Sequence, residues 1–477
     1  MTAAITAAAP WSVLGLAPIV VMVAIAIRRS HALCQGLSLG LLGFALWCVA
    51  RASTVTPFKL TTLLVVDNFA LYYAGIAIIA GIVLVVLGGQ YIARREGHPE
   101  EYYVLLLTAI AGACAMGAAN HFAAFYIALE VLSVSQYGLI GYVRRDMRGT
   151  EAGLKYLILA AVSTAFLLMG MALLYAETGS LQFAVMAQVF SINSFNMVAL
   201  LGGVLFFAGV AFKLSLAPFH LWTPEVYEAS PAPVAALIST LAKTAMLAAV
   251  LRLIVLERVL VTWDLLDIVA VFAALSMVIG NVLAMMQHSI KRLLAYSSVS
   301  HMGYIAAAFI VTGAEANEAV GFYALVYVAS ALCAWGVIIT LSSHRDNDLE
   351  RIEDYRGLAY GGRIPAIVLA VAMLSMAGIP LTGGFIGKLL ILRTAVLGSN
   401  GWLIFVLAIT SAIGALYYLR VLAVLFSQPR HGEAPHPRMT DAATATLITM
   451  AAIVVLTGIV PGPVLDVIRA IAPVAGQ

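Results

Sequence analysis

The chain has 477 residues, 63% of them hydrophobic and 10% charged, with a mean hydropathy of +1.01. Such values exclude an ordinary soluble domain and define a polytopic membrane protein. The formal net charge of +3 gives no basis for nucleic-acid binding, because in a membrane chain the side on which each charge falls carries the information.

The N-terminal MTAAITAAAP has no basic n-region, so the apolar run closed by Arg28 and Arg29 is expected to be a retained first span. A helix needs about 20 apolar residues to cross the hydrocarbon. On that rule the chain is predicted to be all-α with fourteen transmembrane helices, near 11–27, 32–50, 68–92, 102–118, 121–143, 154–176, 196–216, 232–255, 263–286, 292–312, 317–341, 363–398 with an interruption, 402–426 and 442–466. The connectors His344 to Gly362 and Gln428 to Asp441 have room only for loops or short surface helices. Cys34, Cys48, Cys114 and Cys333 fall in apolar segments without paired spacing, so no zinc, iron–sulfur or disulfide framework is indicated and all four are expected to pack.

Lysine and arginine collect in cytoplasmic loops. With an outside N-terminus, the inside loops hold Arg28, Arg29, Arg94, Arg95, Arg144, Arg145, Arg148, Lys291, Arg292, Arg345, Arg351, Arg356, Arg363, Arg430 and Arg438, fifteen in all. The outside segments hold four, Arg51, Lys59, Arg258 and Arg469. A miscounted span would scramble that asymmetry, so both termini are expected outside. Of the remaining basic residues, Lys155 is expected to pair with Glu151 at (i, i+4), and Arg252, near a helix end, to snorkel.

Lys213, Lys243 and Lys388 fall inside spans, where a central lysine costs at least about 2.5–3.5 kcal/mol. In FYIALEVLSVSQYG, Glu130 is the acidic residue well inside a span. An unpaired buried carboxylate takes up a proton, so either Glu130 is neutral or a cation lies close. Lys213 is its natural partner, and the two are expected to face each other. A static ion pair that packs two helices would suffice structurally. A carboxylate whose influence on a lysine comes and goes would instead load and unload a proton.

In FKLSLAPFHLW, Pro218 removes a backbone donor, so the seventh span is expected to break just past Lys213. AGIPLTGGFIGKLL repeats the device, with Pro380, Gly383 and Gly384 ahead of Lys388. Two broken helices five spans apart suggest two five-helix repeats, spans 4–8 and 9–13. Tyr156 and Ser163 echo Tyr323 and Ser330 at the same seven-residue spacing. An odd span count per repeat makes the repeats inverted. The chain then divides into 1–101 (spans 1–3), 102–255 (first repeat), 256–426 (second repeat) and 427–477 (span 14). Between Lys213 and Lys388 the candidate relays are Lys243 and His301, the latter in KRLLAYSSVSHMGYI; a histidine can shuttle protons or simply bond neighbouring hydroxyls. His220, just past Pro218, is a candidate for satisfying backbone groups at the broken end.

These segments, together with FKLSLAPFHLWTPEVYEASPAPVAALISTLAK, RRDMRGTEAGLKY, LERIEDYRGLA and GIPLTGGFIGK, resemble the antiporter-like membrane subunits of respiratory complex I and the related Mrp antiporters. The likeness runs from about Tyr102 to the last span. Lysine at 388, where one subunit type carries an acid, and an end shortly after span fourteen, without a long lateral helix, narrow the subunit type. The resemblance implies that Glu130 and Lys213 are a coupling ion pair, Lys243 the central connecting lysine and Lys388 the terminal proton-transfer lysine, with His301 between the last two. It further implies a proton-pumping subunit of an NADH:quinone oxidoreductase in the bacterial inner membrane, surrounded by lipid and by the membrane and peripheral subunits of the complex. No cofactor or metal is expected in this chain, with NADH, flavin, iron–sulfur clusters and quinone handled by other subunits. Two features depart from the pattern: Glu225, where aspartate is more usual, and ASPAP, which reads partly like the Mrp relatives. A subunit of an Mrp-type sodium/proton antiporter or membrane-bound hydrogenase would use the same lysines without these partners, and a docking scaffold would need none of them.

Overall fold

The computed structural model describes residues 2–144, 146–192, 196–256, 259, 263–311, 313–345, 347–397, 401–429 and 439–471. Arg145, Arg258, Arg430 and Arg438, which enter the charge asymmetry, lie outside the described residues.

Among the described residues the regular structure is helical except for a small antiparallel pair, β1 (Phe58–Lys59) and β2 (Val65–Val66). Its helices are α1 (Thr2–Ile27), α2 (His31–Ala52), α3 (Asn68–Arg95), α4 (Glu101–Ala118), α5 (Phe122–Ile140), α6 (Met147–Thr178), α7 (Phe183–Ile192), α8 (Met197–Leu214), α9 (Trp222–Ala229), α10 (Ala232–Leu237), α11 (Lys243–Leu251), α12 (Trp263–Met285), α13 (Ile290–Ala308), α14 (Ala314–Ser342), α15 (Leu358–Gly361), α16 (Arg363–Ala377), α17 (Gly383–Leu397), α18 (Trp402–Phe426), α19 (Asp441–Ile459) and α20 (Gly462–Ile471). Among the described residues, twelve helical stretches are long and apolar enough to cross a membrane, with α10 and α11 counted as one through the π turn Ile238–Ala242 that joins them. The expected tenth span, α13, opens on Lys291 and Arg292 and is too polar for that set. The expected twelfth is two helices of 15 residues each, α16 and α17.

Local chemistry sets the helix ends. Asp67, Asp146, Asn196, Ser289 and Thr440 cap α3, α6, α8, α13 and α19 with side-chain oxygens that accept a first-turn N–H. The first helix begins at Thr2 rather than near residue 11, because its alanine-rich start is a strong helix former despite Pro10 and Pro18. The last expected span stops at Ile459, and beyond it lies α20, whose apolar side rests on the bundle.

Helices α10, α11, α13 and α14 are almost wholly enclosed, whereas α1, α2, α6, α12, α18 and α19 turn large apolar side chains outward. The pairs α6–α8 and α12–α13 pack backbone to backbone. A Cβ on Gly280 would lie 2.6 Å from the Ser300 nitrogen, and one on Gly209 would lie 3.0 Å from the Ser163 carbonyl oxygen. In a membrane, small residues of this kind are what allow close helix packing. All four cysteines are buried and unpaired, as packing residues.

At one end of the bundle Asp348 joins both halves of the chain. It pairs with Lys291 at 2.5 Å and Arg95 at 3.0 Å and accepts from the Tyr91 hydroxyl at 2.7 Å. Lys291 also donates to the carbonyls of Glu228 and Ser230, and Tyr91 accepts the Ala232 N–H. Burial alone would push the Asp348 carboxyl up, but Lys291 and Arg95 outweigh it and hold it below the usual carboxylate range. Beside this junction opens a cavity of about 350 Å³, whose lining includes Arg94, Arg148, Glu228 and Glu350.

One expectation for a surface charge changes and another is extended. Arg252 does not snorkel: it is 2% exposed and forks onto Asp67 at 2.7 and 2.9 Å while donating to the Gly117 carbonyl. A guanidinium with a bidentate partner has no need to reach water. Lys155 pairs with Glu151 at 2.9 Å, and also with Glu225 of α9 at 2.5 Å, so the unusual glutamate has a structural partner.

Candidate functional site

The first broken helix ends where proline predicts. α8 stops at Leu214, Ser215 takes a left-handed conformation, and α9 resumes at Trp222. The freed backbone is satisfied from outside: Trp222 Nε1 donates to the Phe212 carbonyl at 3.1 Å, and Ser276 Oγ of α12 accepts the Ala217 N–H at 2.8 Å. His220, the candidate for this role, lies buried beside the break, against the Pro218 backbone.

Lys213, in the last turn of α8, is buried and donates to Ser133 Oγ of α5 at 2.8 Å. One turn away on α5, Glu130 accepts from Thr164 Oγ1 of α6 at 3.2 Å. The structure thus places carboxylate and ammonium in one cluster without ion-pair contact. Ser133 stands at the lysine and Thr164 at the glutamate. Residues 130, 133 and 136 recur at helical spacing on α5, and Gln136 Oε1 accepts from Tyr156 of α6 at 3.3 Å.

The second cluster lies at the centre of the bundle. Lys243 directly follows the π turn and donates to Ser298 Oγ of α13 at 2.6 Å. Ser298 also meets the Tyr327 hydroxyl of α14 at 2.6 Å. The adjacent Ser297 hydrogen-bonds the Tyr418 hydroxyl of α18, which reaches His301 Nε2 at 3.0 Å. His301 Nδ1 meets the Tyr323 hydroxyl at 2.6 Å. His301 is therefore bonded to neighbouring hydroxyls, and those same hydroxyls connect it to Ser297, one residue from the serine that holds Lys243. A neutral imidazole with one donor and one acceptor nitrogen, placed between two amphiprotic hydroxyls, can pass a proton by exchanging tautomers.

The third cluster is at the second break. α16 ends at Ala377, Gly378 has φ +83°, and α17 begins at Gly383. Lys388 Nζ donates to the Ala377 carbonyl and to Ser411 Oγ, both at 2.9 Å, and lies 5.0 Å from the centre of the Tyr304 ring. A cation at a helix C-terminus is held by the dipole and by unpaired carbonyls. The lysine stem runs across Gly378, where an added Cβ would lie 2.8 Å from its Cδ. Glycine is required there both for the positive φ and for the lysine's passage.

In all three clusters the lysine donates to a serine on a neighbouring helix, and Lys213, Lys243 and Lys388 have no carboxylate in ion-pair contact among the described residues. Sequence reasoning missed Ser133, Ser298 and Ser411, and with them Tyr327 and Tyr418. Serine and tyrosine in an apolar helix are common; the available signal was the three-residue spacing of Ser133 from Glu130 and of Ser298 from His301, and Ser411, Tyr327 and Tyr418 carried none. Among the described residues no group of three His, Cys, Asp or Glu side chains could hold a metal ion.

Residues 119–414, which include Glu130, Lys213, Lys243, His301 and Lys388, match the transmembrane family of NADH:quinone oxidoreductases and Mrp antiporters. The chain is 40% identical over 476 residues to NADH-quinone oxidoreductase subunit N of Ectopseudomonas mendocina, covering 98% of this chain and 96% of that one. The chain belongs to this family. A chain of respiratory complex I from Thermus thermophilus with bound aureothin is 30% identical, with a TM-score of 0.83, covering 96% of this chain and 98% of that one. The Mrp complex of Dietzia sp. DQ12-45-1b contains a chain 18% identical with a TM-score of 0.84, covering 98% of this chain and 96% of that one, a likeness of fold alone.

Proposed function

We propose that this chain is a proton-translocating membrane subunit, of the subunit N type, in an NADH:quinone oxidoreductase of the bacterial inner membrane. The observation that carries the reading is the row of three buried ammonium groups at the two broken helices and between them, each held by a neutral hydroxyl and none locked to a carboxylate. A locked buried pair is a stable end state, whereas an ammonium on a hydroxyl is poised to give up its proton. Glu130, one turn from the Lys213 acceptor, is the charge whose approach or withdrawal sets the first step. The proton then passes along Lys243 and the His301 hydroxyl chain to Lys388. Flavin, iron–sulfur, NADH and quinone chemistry belongs to other subunits, with which this chain assembles.

In this reading α13 and the broken α16–α17 complete fourteen spans, with both termini outside. The five-helix repeats, 102–255 and 256–426, are inverted. Ser163 of α6 bonds the Gly209 carbonyl in the half-helix before the first break, and Ser330 of α14 bonds Ser375 in the half-helix before the second, which supports the correspondence. Lys213→Ala in the assembled complex is expected to abolish proton pumping while assembly persists. Wild-type proton yield in that variant would sink the proposal.

A further inference from the structure

One buried carboxylate stands apart from the three lysine clusters. Glu318, near the start of α14, is 8% exposed and accepts a fork from Arg469 of α20, with Nε at 3.1 Å and Nη2 at 2.9 Å. Arg393 of α17 stands 3.9 Å from the same carboxylate. Arg393 is five residues beyond Lys388, and Glu318 five residues before Tyr323, so each step covers about 7.5 Å of helix. The two helices meet at both levels: Gly387, next to Lys388, leaves no room for a side chain beside the Tyr323 ring, and Arg393 faces Glu318. Phe322 and Leu390 line the interval between them, so a proton crosses it only when water enters.

α20 lies across this end. Val464, Leu465 and Ile468 pack on Phe322 and Val326 of α14, Leu390 of α17 and Tyr72 of α3. Ile468 sits over Gly321, where an added Cβ would be 3.2 Å from its Cγ2. The strap is held both by these apolar contacts and by the Arg469 fork. Arg469 also lies 3.7 Å from Asp466, so two carboxylates stand beside the two guanidinium groups.

We propose that Glu318 is the outermost proton site of the second half of the chain, taking the proton that leaves Lys388 and releasing it to the outer aqueous phase. This rests on the proton-translocating reading above. The carboxylate accepts one proton and becomes a neutral acid; the Arg469 fork then loses its anionic partner and the end of α20 loosens. Water reaches Glu318, takes the proton, and the carboxylate re-forms its pair with Arg469. Between transfers Arg393 and Arg469 present positive charge to any returning hydronium.

The test uses the assembled complex in proteoliposomes, with NADH oxidation and lumen acidification followed together. Glu318→Gln is expected to assemble in normal amount, lose acidification and oxidise NADH slowly even with an uncoupler present, whereas Glu318→Asp keeps acidification. Wild-type acidification by Glu318→Gln, or loss only in proportion to lost assembly, overturns the proposal. Arg469→Gln leaves the acid in place; its gradient is expected to decay faster than wild type once NADH is exhausted, and wild-type decay overturns the barrier role. Lys388→Ala is run alongside. If it too pumps normally, the translocation reading itself fails; if it does not pump and Glu318→Gln does, this inference alone fails.

Discussion

Asp348→Asn perturbs the junction at which the two halves of the chain share one carboxylate. The wild-type group faces Lys291 and Arg95, with side-chain exposures of 6% for the acid and 2% and 7% for the bases. Removing one partner of a buried pair costs about 3–5 kcal/mol, because the remaining charge is left unpaired. Asparagine keeps the shape and one acceptor for Tyr91, which places the expected loss near the lower end, about 3 kcal/mol. At about 1.4 kcal/mol per factor of ten, local opening of the junction should rise roughly 100-fold. The reporters are backbone amides: Ile290 donates to Glu350 and Ile352 to His288 across the junction. Hydrogen exchange of peptides spanning residues 288–292 and 348–354 reads them directly. The sign with pH is fixed by the depressed carboxyl. Its stabilisation is fully present above the unfolded value near about 4 and is lost as pH falls through the lower folded value. After correction for intrinsic exchange, wild-type protection should therefore stay level down to about pH 5 and drop in stronger acid, and the variant should show no such step. An acceleration of less than about tenfold in the variant would refute the argument, since it would limit the loss to under about 1.4 kcal/mol.

Other changes probe the relay. In Gly384→Ala the new Cβ would lie 2.7 Å from the Ser375 carbonyl carbon, so the half-helices must part; a loss of about 1–3 kcal/mol is expected as a lower melting temperature of the purified complex, with slower pumping. Tyr418→Phe removes the hydroxyl between His301 and Ser297 and should slow pumping per assembled complex by about tenfold or more, while an unchanged rate would remove that hydroxyl from the path. Ser133→Ala deprives Lys213 of its acceptor, so the ammonium should turn toward Glu130 and lock. Slower pumping with intact assembly is the expected result, and wild-type pumping would show that the hydroxyl spacer is dispensable.

The lysines and Glu130 were legible because a charge in an apolar run has no inexpensive bland explanation. The breaks at Pro218 and Pro380 were legible for a similar reason, a missing N–H in a segment that otherwise reads as helix. The hydroxyls were not, because Ser298 and Tyr327 sit comfortably in any buried helix and only the crossing of α11, α13 and α14 brings them to Lys243. Arg252 was misread because Asp67 is far away in sequence, and a helix-end arginine with no nearby acid reads as one that reaches for water. The short helices α7, α9 and α20 were invisible to a rule built on span length. Glu318 was passed over since it falls at the start of its helix, where an acid is ordinary.

The π turn before Lys243 is, in effect, one inserted residue, because it carries one more residue than the α-helical turn it replaces. Converting residues 238–242 to α geometry without a deletion would turn everything after them by about 100° relative to α10, whereas deleting one residue as well restores the phase. Only the first change swings the central ammonium off Ser298 while every apolar residue of α10 keeps its seat. A one-residue gap at this place in a comparison of related chains therefore leaves the lysine pointing as before, and is a difference in length rather than in chemistry.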